Sequence, residues 1–214
     1  LTFVNDLLLY VTSFAISYLI GSLPTAYIVV KRKANIDIRS AGSGNVGTLN
    51  AYEVTGKRII GILVLVVDIA KGAGAILLTR LVFSQEPLVI SVALVAVVVG
   101  HCFPAWLKFH GGRGLAPAAG AMVVTGWIFV LLWLLSWGIT YWFSKNIHLG
   151  NIVAIVATPI LGYLIPQEII MRTIVAGFSD SGILLAYSAM SVALLVRHIE
   201  PLRTLISSRS IKDT

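Results

Sequence analysis

The sequence predicts an all-α fold: a polytopic integral membrane protein of about seven transmembrane helices, with residues 1–214 forming a single membrane domain. Three observations predict it. Hydrophobic residues make up 57% of the chain and charged residues 12%, which leaves too little polar surface to coat a soluble globule of this size. Apolar runs recur near residues 7 to 30, 59 to 81, 87 to 107, 115 to 143, 151 to 168 and 181 to 197. Most are long enough to cross about 30 Å of hydrocarbon at about 1.5 Å per residue. The basic residues, finally, gather on alternate connections between these runs.

The first run has no basic start and continues through Gly21-Ser22-Leu23-Pro24, so it reads as a retained helix broken at the proline and not as a cleaved signal. The second carries Asp68 and Lys71, spaced i, i+3 on one face, where each can neutralise the other in the bilayer. The pair reads either as a packing device or as support for a nearby site. The run from Leu115 to Phe143 is too long for one span. A break near Gly126 makes it two short helices and brings the count to seven. The last two runs supply one crossing each. Cys102 has no cysteine partner and forms no intrachain disulfide.

With seven spans, the connections after helices 1, 3, 5 and 7 share one side of the membrane. That side holds Lys31, Arg32, Lys33, Arg39, Lys57, Arg58, Lys108, Arg113, Lys145, Arg197, Arg203, Arg209 and Lys212. The other has only Arg80 and Arg172, and Lys71 lies within the second helix. The positive-inside rule makes the rich side cytoplasmic, placing the N-terminus outside and the C-terminus in the cytoplasm. The net charge of +7 then suits a face lying against anionic headgroups. No basic stretch interleaves with aromatics on a soluble module, which excludes nucleic acid as a partner.

Three polar clusters fall on that face. The first is Gly42-Ser43-Gly44-Asn45-Val46-Gly47, followed by Asn50 and preceded by Arg39. Its glycines let backbone amides turn inward, and Ser43, Asn45 and Asn50 add side-chain donors, as an anion nest requires. It is not a P-loop, because no Gly-Lys-Ser/Thr closes it. In the second, after Gly100-His101, residues Gly111, Gly112 and Gly114 surround Arg113, whose guanidinium can meet a phosphate or a developing oxyanion. A helix starting at Leu115 would add its N-terminal potential. Trp106 and Phe109 read as interface anchors. The third is Arg197-His198-Ile199-Glu200, where His198 is a hydrogen-bonding group or a helix-end cap. Neither zinc-ligand spacing nor a Gly-x-Ser-x-Gly elbow occurs, and no base adjoins Ser43.

On these residues the chain resembles the bacterial acyl-phosphate-dependent glycerol-3-phosphate acyltransferases. The likeness covers nearly the whole sequence: Gly21-Ser22-Leu23-Pro24, Ile36-Asp37-Ile38-Arg39, Gly42 to Gly47, Asn50, Gly56-Lys57, Asp68 with Lys71-Gly72, Gly100-His101 with Phe103-Pro104, Gly111-Gly112-x-Gly114, and Arg197-His198-x-Glu200. The resemblance implies seven helices in the bacterial plasma membrane, with the active site at the cytoplasmic face. It implies transfer of a fatty acyl group from acyl phosphate to the 1-hydroxyl of glycerol 3-phosphate, giving lysophosphatidic acid and phosphate without metal or cofactor. Membrane lipids and the acyl-phosphate-forming enzyme are the implied partners.

Carried over residue by residue, the resemblance makes Ser43, Arg113 and His198 the catalytic group. It places Gly42, Gly44, Asn45, Gly47, Asn50, Arg39, His101, Gly111, Gly112, Gly114 and Glu200 around the substrates, with Asp68 and Lys71 behind them. The family is thought to let the substrate's own phosphate assist proton transfer. Four positions depart from the pattern. Glu53 stands where the family has arginine, Arg113 where it has lysine, Pro201 where it has asparagine, and His148 near a usual serine. These departures open two alternatives, acylation of another polyol phosphate and a non-catalytic relative. A small organophosphate or anion carrier is the reading from a different class.

Overall fold

A computed structural model describes residues 2–83, 86–174 and 180–203. The expected tail with Arg209 and Lys212 lies outside the described residues. Ten α-helices follow one another in the described chain: α1 (Thr2–Ser22), α2 (Thr25–Ala34), α3 (Thr48–Thr55), α4 (Arg58–Leu78), α5 (Pro87–Cys102), α6 (Leu115–Thr125), α7 (Trp127–Ser144), α8 (Ile147–Leu164), α9 (Gln167–Met171) and α10 (Asp180–Val196). The first apolar run does break at Leu23 and Pro24, and the long fourth run breaks at Gly126. Five segments are long and apolar enough to cross a membrane, Asn5–Ala34, Arg58–Phe83, Pro87–Leu107, Trp127–Ser144 and Ile147–Leu164. The shorter Leu115–Thr125 and Gly182–Val196 are also apolar.

α5 is the central post, with 67% of its apolar window buried inside the protein, against 6% for α7 at the periphery. Leucine, valine and tryptophan side chains such as Leu8, Val66, Leu134, Trp142 and Leu164 face outward. So continuous an apolar exterior is stable only in lipid. Between helices there is no hydrophobic drive in such a solvent, so close van der Waals approach does the packing. α4 and α6 show how: a Cβ on Gly72 would fall 2.0 Å from the Pro117 carbonyl oxygen, and one on Gly120 would fall 2.0 Å from that of Ile69. Gly21 and Gly100 bring α1 and α5 together in the same way.

Several polar groups at depth find partners close by, although the buried Ser17 hydroxyl has none among the described residues. Ser13 Oγ donates to the Val89 carbonyl at 3.1 Å, and the Thr125 and Tyr187 hydroxyls meet at 2.6 Å beside Phe129. Lys71 Nζ donates to the Leu23 carbonyl at 3.0 Å, a group that the break at Pro24 leaves without a helical partner. Its charge is balanced by Asp68, whose Oδ1 is 3.0 Å away.

Two elements differ from expectation. The stretch after Gly47, read as loop, forms the two-turn helix α3, bounded by Gly47 and by Gly56 in the left-handed conformation. α8 begins at Ile147, four residues before the apolar run read from sequence, because Asn146 caps it by accepting the His148 and Leu149 amides at 2.9 and 3.0 Å.

Candidate active site

The connections that follow the first, third, fifth and seventh apolar segments meet at one end of the bundle. α2 stops at Asn35, left-handed at φ 56°, and the chain turns through Asp37. Asp37 accepts the Arg39 amide and grips its guanidinium in a fork of 3.0 and 2.6 Å. That hydrogen bonding holds the Asp37 carboxyl at about 2. Arg39 also lies over the Tyr27 ring. It faces a separate hollow with Asp37, Ser40, Gly44, Leu107, Lys108 and His110.

Residues 41 to 47 form a tight turn in which Gly42 and Gly44 have φ of 58° and 70°. Buried Asn50 holds the turn from within. Its Oδ1 accepts the Ser43 amide at 3.0 Å, and its Nδ2 faces the carbonyls of Ile38, Ala41 and Asn45 at 3.2, 3.1 and 2.9 Å. Asn50 therefore shapes the loop with all of its polar atoms. The Ser43 side chain is on the exposed outer side of the turn.

The second loop is tied to α1, to α5 and to the end of α10. Tyr18 donates to the Phe103 carbonyl at 2.7 Å, and Trp106 Nε1 to Ser22 Oγ at 2.8 Å. The Gly111 and Gly112 amides return to the Cys102 and His101 carbonyls. Arg197 reaches across to donate to the Gly111 and Gly112 carbonyls at 2.8 and 3.1 Å. Gly112 is where the loops touch: a Cβ there would fall 2.0 Å from His101 Nε2 and 2.8 Å from the Val46 carbonyl oxygen. Only a hydrogen fits.

Between these loops lies a cavity of about 180 Å³, lined by Asn45, Gly47, Thr48, Leu49, Leu65, Asp68, His101, Arg113, Gly114, Leu115, Ala116, Ile147, His148 and Asn151. Three helix N-termini open onto it. α3 starts after Gly47 and α6 after Gly114, and neither has a side-chain cap. Their first amides are thus unsatisfied by side chains and carry the positive end of the helix dipole. α8, capped by Asn146, supplies the third. Arg113 adds a full charge. Desolvation lowers its pKa, while Glu200 and Glu53 oppose that shift and Arg197 adds to it. Such a wall of amides around one guanidinium suits a phosphate.

His198 is buried in the turn after α10, and its Nδ1 donates to the Leu194 carbonyl at 2.8 Å. Since a carbonyl only accepts, Nε2 holds the lone pair, and it is buried without a partner. Burial pushes its pKa down to about 4, with Arg113, His148 and Arg197 acting in the same sense. The ring is neutral at pH 7.

Of the residues read from the sequence, Asn45, Gly47, His101, Arg113, Gly114 and Asp68 share the cavity wall. Gly111 and Gly112 form the backbone behind it, and His198 and Glu200 act on it through Arg113. Lys71 is not among the lining residues but pairs with Asp68 at 3.0 Å. Ser43, Gly42, Gly44 and Arg39 are not among the lining residues. The sequence reading missed Thr48, Asn151 and the N-terminus of α3. Asn151, three residues beyond His148 in an apolar helix, was the available signal.

The family described as Glycerol-3-phosphate acyltransferase matches residues 11–208. Glycerol-3-phosphate acyltransferase 2 of Thermotoga maritima is 34% identical over 197 residues, covering 92% of this chain and 93% of that one. The glycerol-3-phosphate acyltransferase of Desulforamulus reducens is 38% identical over 166 residues, covering 76% and 82%. Among solved structures, PlsY, an integral membrane glycerol 3-phosphate acyltransferase, matches in its glycerol 3-phosphate form with a TM-score of 0.78, 25% identity, and coverage of 94% of this chain and 93% of that one. Its lysophosphatidic acid form matches with a TM-score of 0.76. With sequence, fold and cavity pointing the same way, this chain belongs to the glycerol-3-phosphate acyltransferase family.

Proposed function

We propose that the protein transfers a fatty acyl group from acyl phosphate to the 1-hydroxyl of glycerol 3-phosphate, releasing lysophosphatidic acid and phosphate. The observation that carries this is the cavity where the uncapped N-termini of α3 and α6 converge beside Arg113. Both substrates bear phosphate, and such a wall stabilises phosphate in the ground state and the oxyanion that develops when the acyl carbonyl is attacked. His198 Nε2, buried and holding a lone pair, is suited to accept a hydrogen bond from an acceptor hydroxyl. The matched PlsY structures are of a glycerol 3-phosphate form and a lysophosphatidic acid form, an acceptor and a product of this reaction.

In this reading all seven apolar segments cross the bilayer of a bacterial plasma membrane. The shared end of the bundle, with Arg113 and Arg197, faces the cytoplasm, the N-terminus lies outside, and an acyl-phosphate-forming enzyme supplies the donor. The acyl tail stays in lipid beside the helices. The test is purified protein with palmitoyl phosphate and glycerol 3-phosphate: phosphate and lysophosphatidic acid should appear together, and Arg113→Ala should abolish both. Absence of product from folded wild-type protein refutes the reading.

A second reading rests on Glu53, whose charge acts on Arg113 and on His148. A carboxylate there can accept a hydrogen bond from a hydroxyl that glycerol 3-phosphate lacks, which favours a longer polyol phosphate as acceptor. Comparing kcat/KM across a panel of phosphorylated polyols separates the two. Restored use of glycerol 3-phosphate in Glu53→Arg with Pro201→Asn would favour the second.

A further inference from the structure

Asn151 is a buried amide that the fold itself does not use. It lies in the second turn of α8, three residues after His148 and so on the same helical face, and it lines the cavity that also holds Arg113. Only 7% of it is exposed. Among the described residues its carboxamide has no hydrogen-bond partner. Where a polar side chain serves the fold, its partner is visible: Thr158, on the same helix, donates to the Ala154 carbonyl at 2.7 Å, and Asn50 is filled by the first loop. An unmet amide is costly in a bilayer, where water does not stand in for the missing partner. The other polar side chains on the cavity wall without a fixed charge are Asn45, Thr48 and His148, all half-buried, and His101, whose Nδ1 is 3.9 Å from Asp68 Oδ2.

Resting on the acyl-transfer reading, we propose that Asn151 reads the secondary hydroxyl of the acceptor, the one that is not acylated, and thereby selects one enantiomer of glycerol 3-phosphate. A carboxamide donates and accepts at once, as a hydroxyl does. The phosphate has its own partners in Arg113 and the uncapped ends of α3 and α6, and the reacting hydroxyl has His198 Nε2. Asn151 is the third point. Glycerol 3-phosphate is chiral only at the carbon that bears the secondary hydroxyl, so three points of contact distinguish it from its mirror image. With phosphate and reacting hydroxyl in place, the mirror image turns its secondary hydroxyl away and leaves the amide unmet.

The experiment measures kcat/KM for ester formation from palmitoyl phosphate in nanodiscs with three acceptors: sn-glycerol 3-phosphate, sn-glycerol 1-phosphate and 3-hydroxypropyl phosphate, which lacks the secondary hydroxyl. A site built around a hydroxyl rejects the analogue without it, so wild type should prefer sn-glycerol 3-phosphate over both others by at least about 30-fold. In Asn151→Leu, close in size and without polar atoms, both preferences should fall to within about threefold of unity, through loss of sn-glycerol 3-phosphate turnover while 3-hydroxypropyl phosphate is used about as well as by wild type. That retained turnover also reports a folded variant, and Asn151→Ala is read in the same way. Wild type with no preference, preferences that survive in the variants, or variants that lose all three acceptors together, as a packing role requires, each overturn the proposal and leave acyl transfer standing. Wild-type protein that acylates none of the three overturns acyl transfer to glycerol 3-phosphate itself, and this proposal with it.

Discussion

Asn50 offers the sharpest test of how the first loop is held. Replacing it with alanine removes the acceptor of the Ser43 amide and the donor that faces the carbonyls of Ile38, Ala41 and Asn45. An amide NH₂ has two protons, so about three hydrogen bonds are lost in all. At about 1 kcal/mol each, the turn is destabilised by about 3 kcal/mol, and a local opening equilibrium shifts by about 150-fold. Hydrogen–deuterium exchange of residues 41–47 in detergent micelles reads that shift directly. Exchange there should accelerate by about two orders of magnitude in Asn50→Ala, while amides of α5 keep their protection. Asn50→Asp should be no better. It keeps an acceptor for Ser43, yet sets a carboxylate against three carbonyls. Exchange in 41–47 within about threefold of wild type for both variants would mean that the turn is held by something else, because 3 kcal/mol cannot be hidden in a local opening.

Three further outcomes follow from the packing and charge. Gly120→Ala should prevent folded, monodisperse protein from being recovered in detergent, since its Cβ would fall 2.0 Å from the Ile69 carbonyl oxygen, whereas Gly74→Ala, with nothing within 4 Å, should be recovered like wild type. Arg197→Lys keeps the charge but loses the fork across the Gly111 and Gly112 carbonyls; the second loop should exchange faster, and kcat/KM for phosphate release should fall by about tenfold, in line with the loss of one charged hydrogen bond of the two. His198 has a folded pKa lowered to about 4 from 6.5, so its contribution to stability is fully present above pH 6.5 and is lost as pH falls through about 4. Thermal denaturation should show wild type losing stability over that window more steeply than His198→Gln.

Much of the fold was legible because its breaks are chemical. Pro24 cannot donate an amide and Gly126 adopts an extended φ of −173°, and both end a helix where the apolar pattern runs on. The gathering of alternate connections at one end follows from counting spans, and Asp68 with Lys71 was readable as an i, i+3 pair. The third partner of that pair was not, because Leu23 is 48 residues away and offers a backbone carbonyl rather than a side chain. α3 was hidden between two glycines, in a sequence with threonine at both ends and a buried asparagine that local propensity reads as loop. The role of Asn50 was ambiguous for a related reason: an amide that binds a ligand and one that binds its own loop look alike until the loop closes. His148 stood out only as a departure from a pattern. Its neighbours come from α3, from the second loop and from beyond α10, and no local spacing announces such a meeting.

The ammonium of Lys71 has one further consequence. It serves two groups at once, the carboxylate at the floor of the cavity and the Leu23 carbonyl at the elbow between α1 and α2, which also accepts the Thr25 amide. The elbow and the floor are therefore tied through one cation, so that a substitution at Lys71 should disturb both places at once.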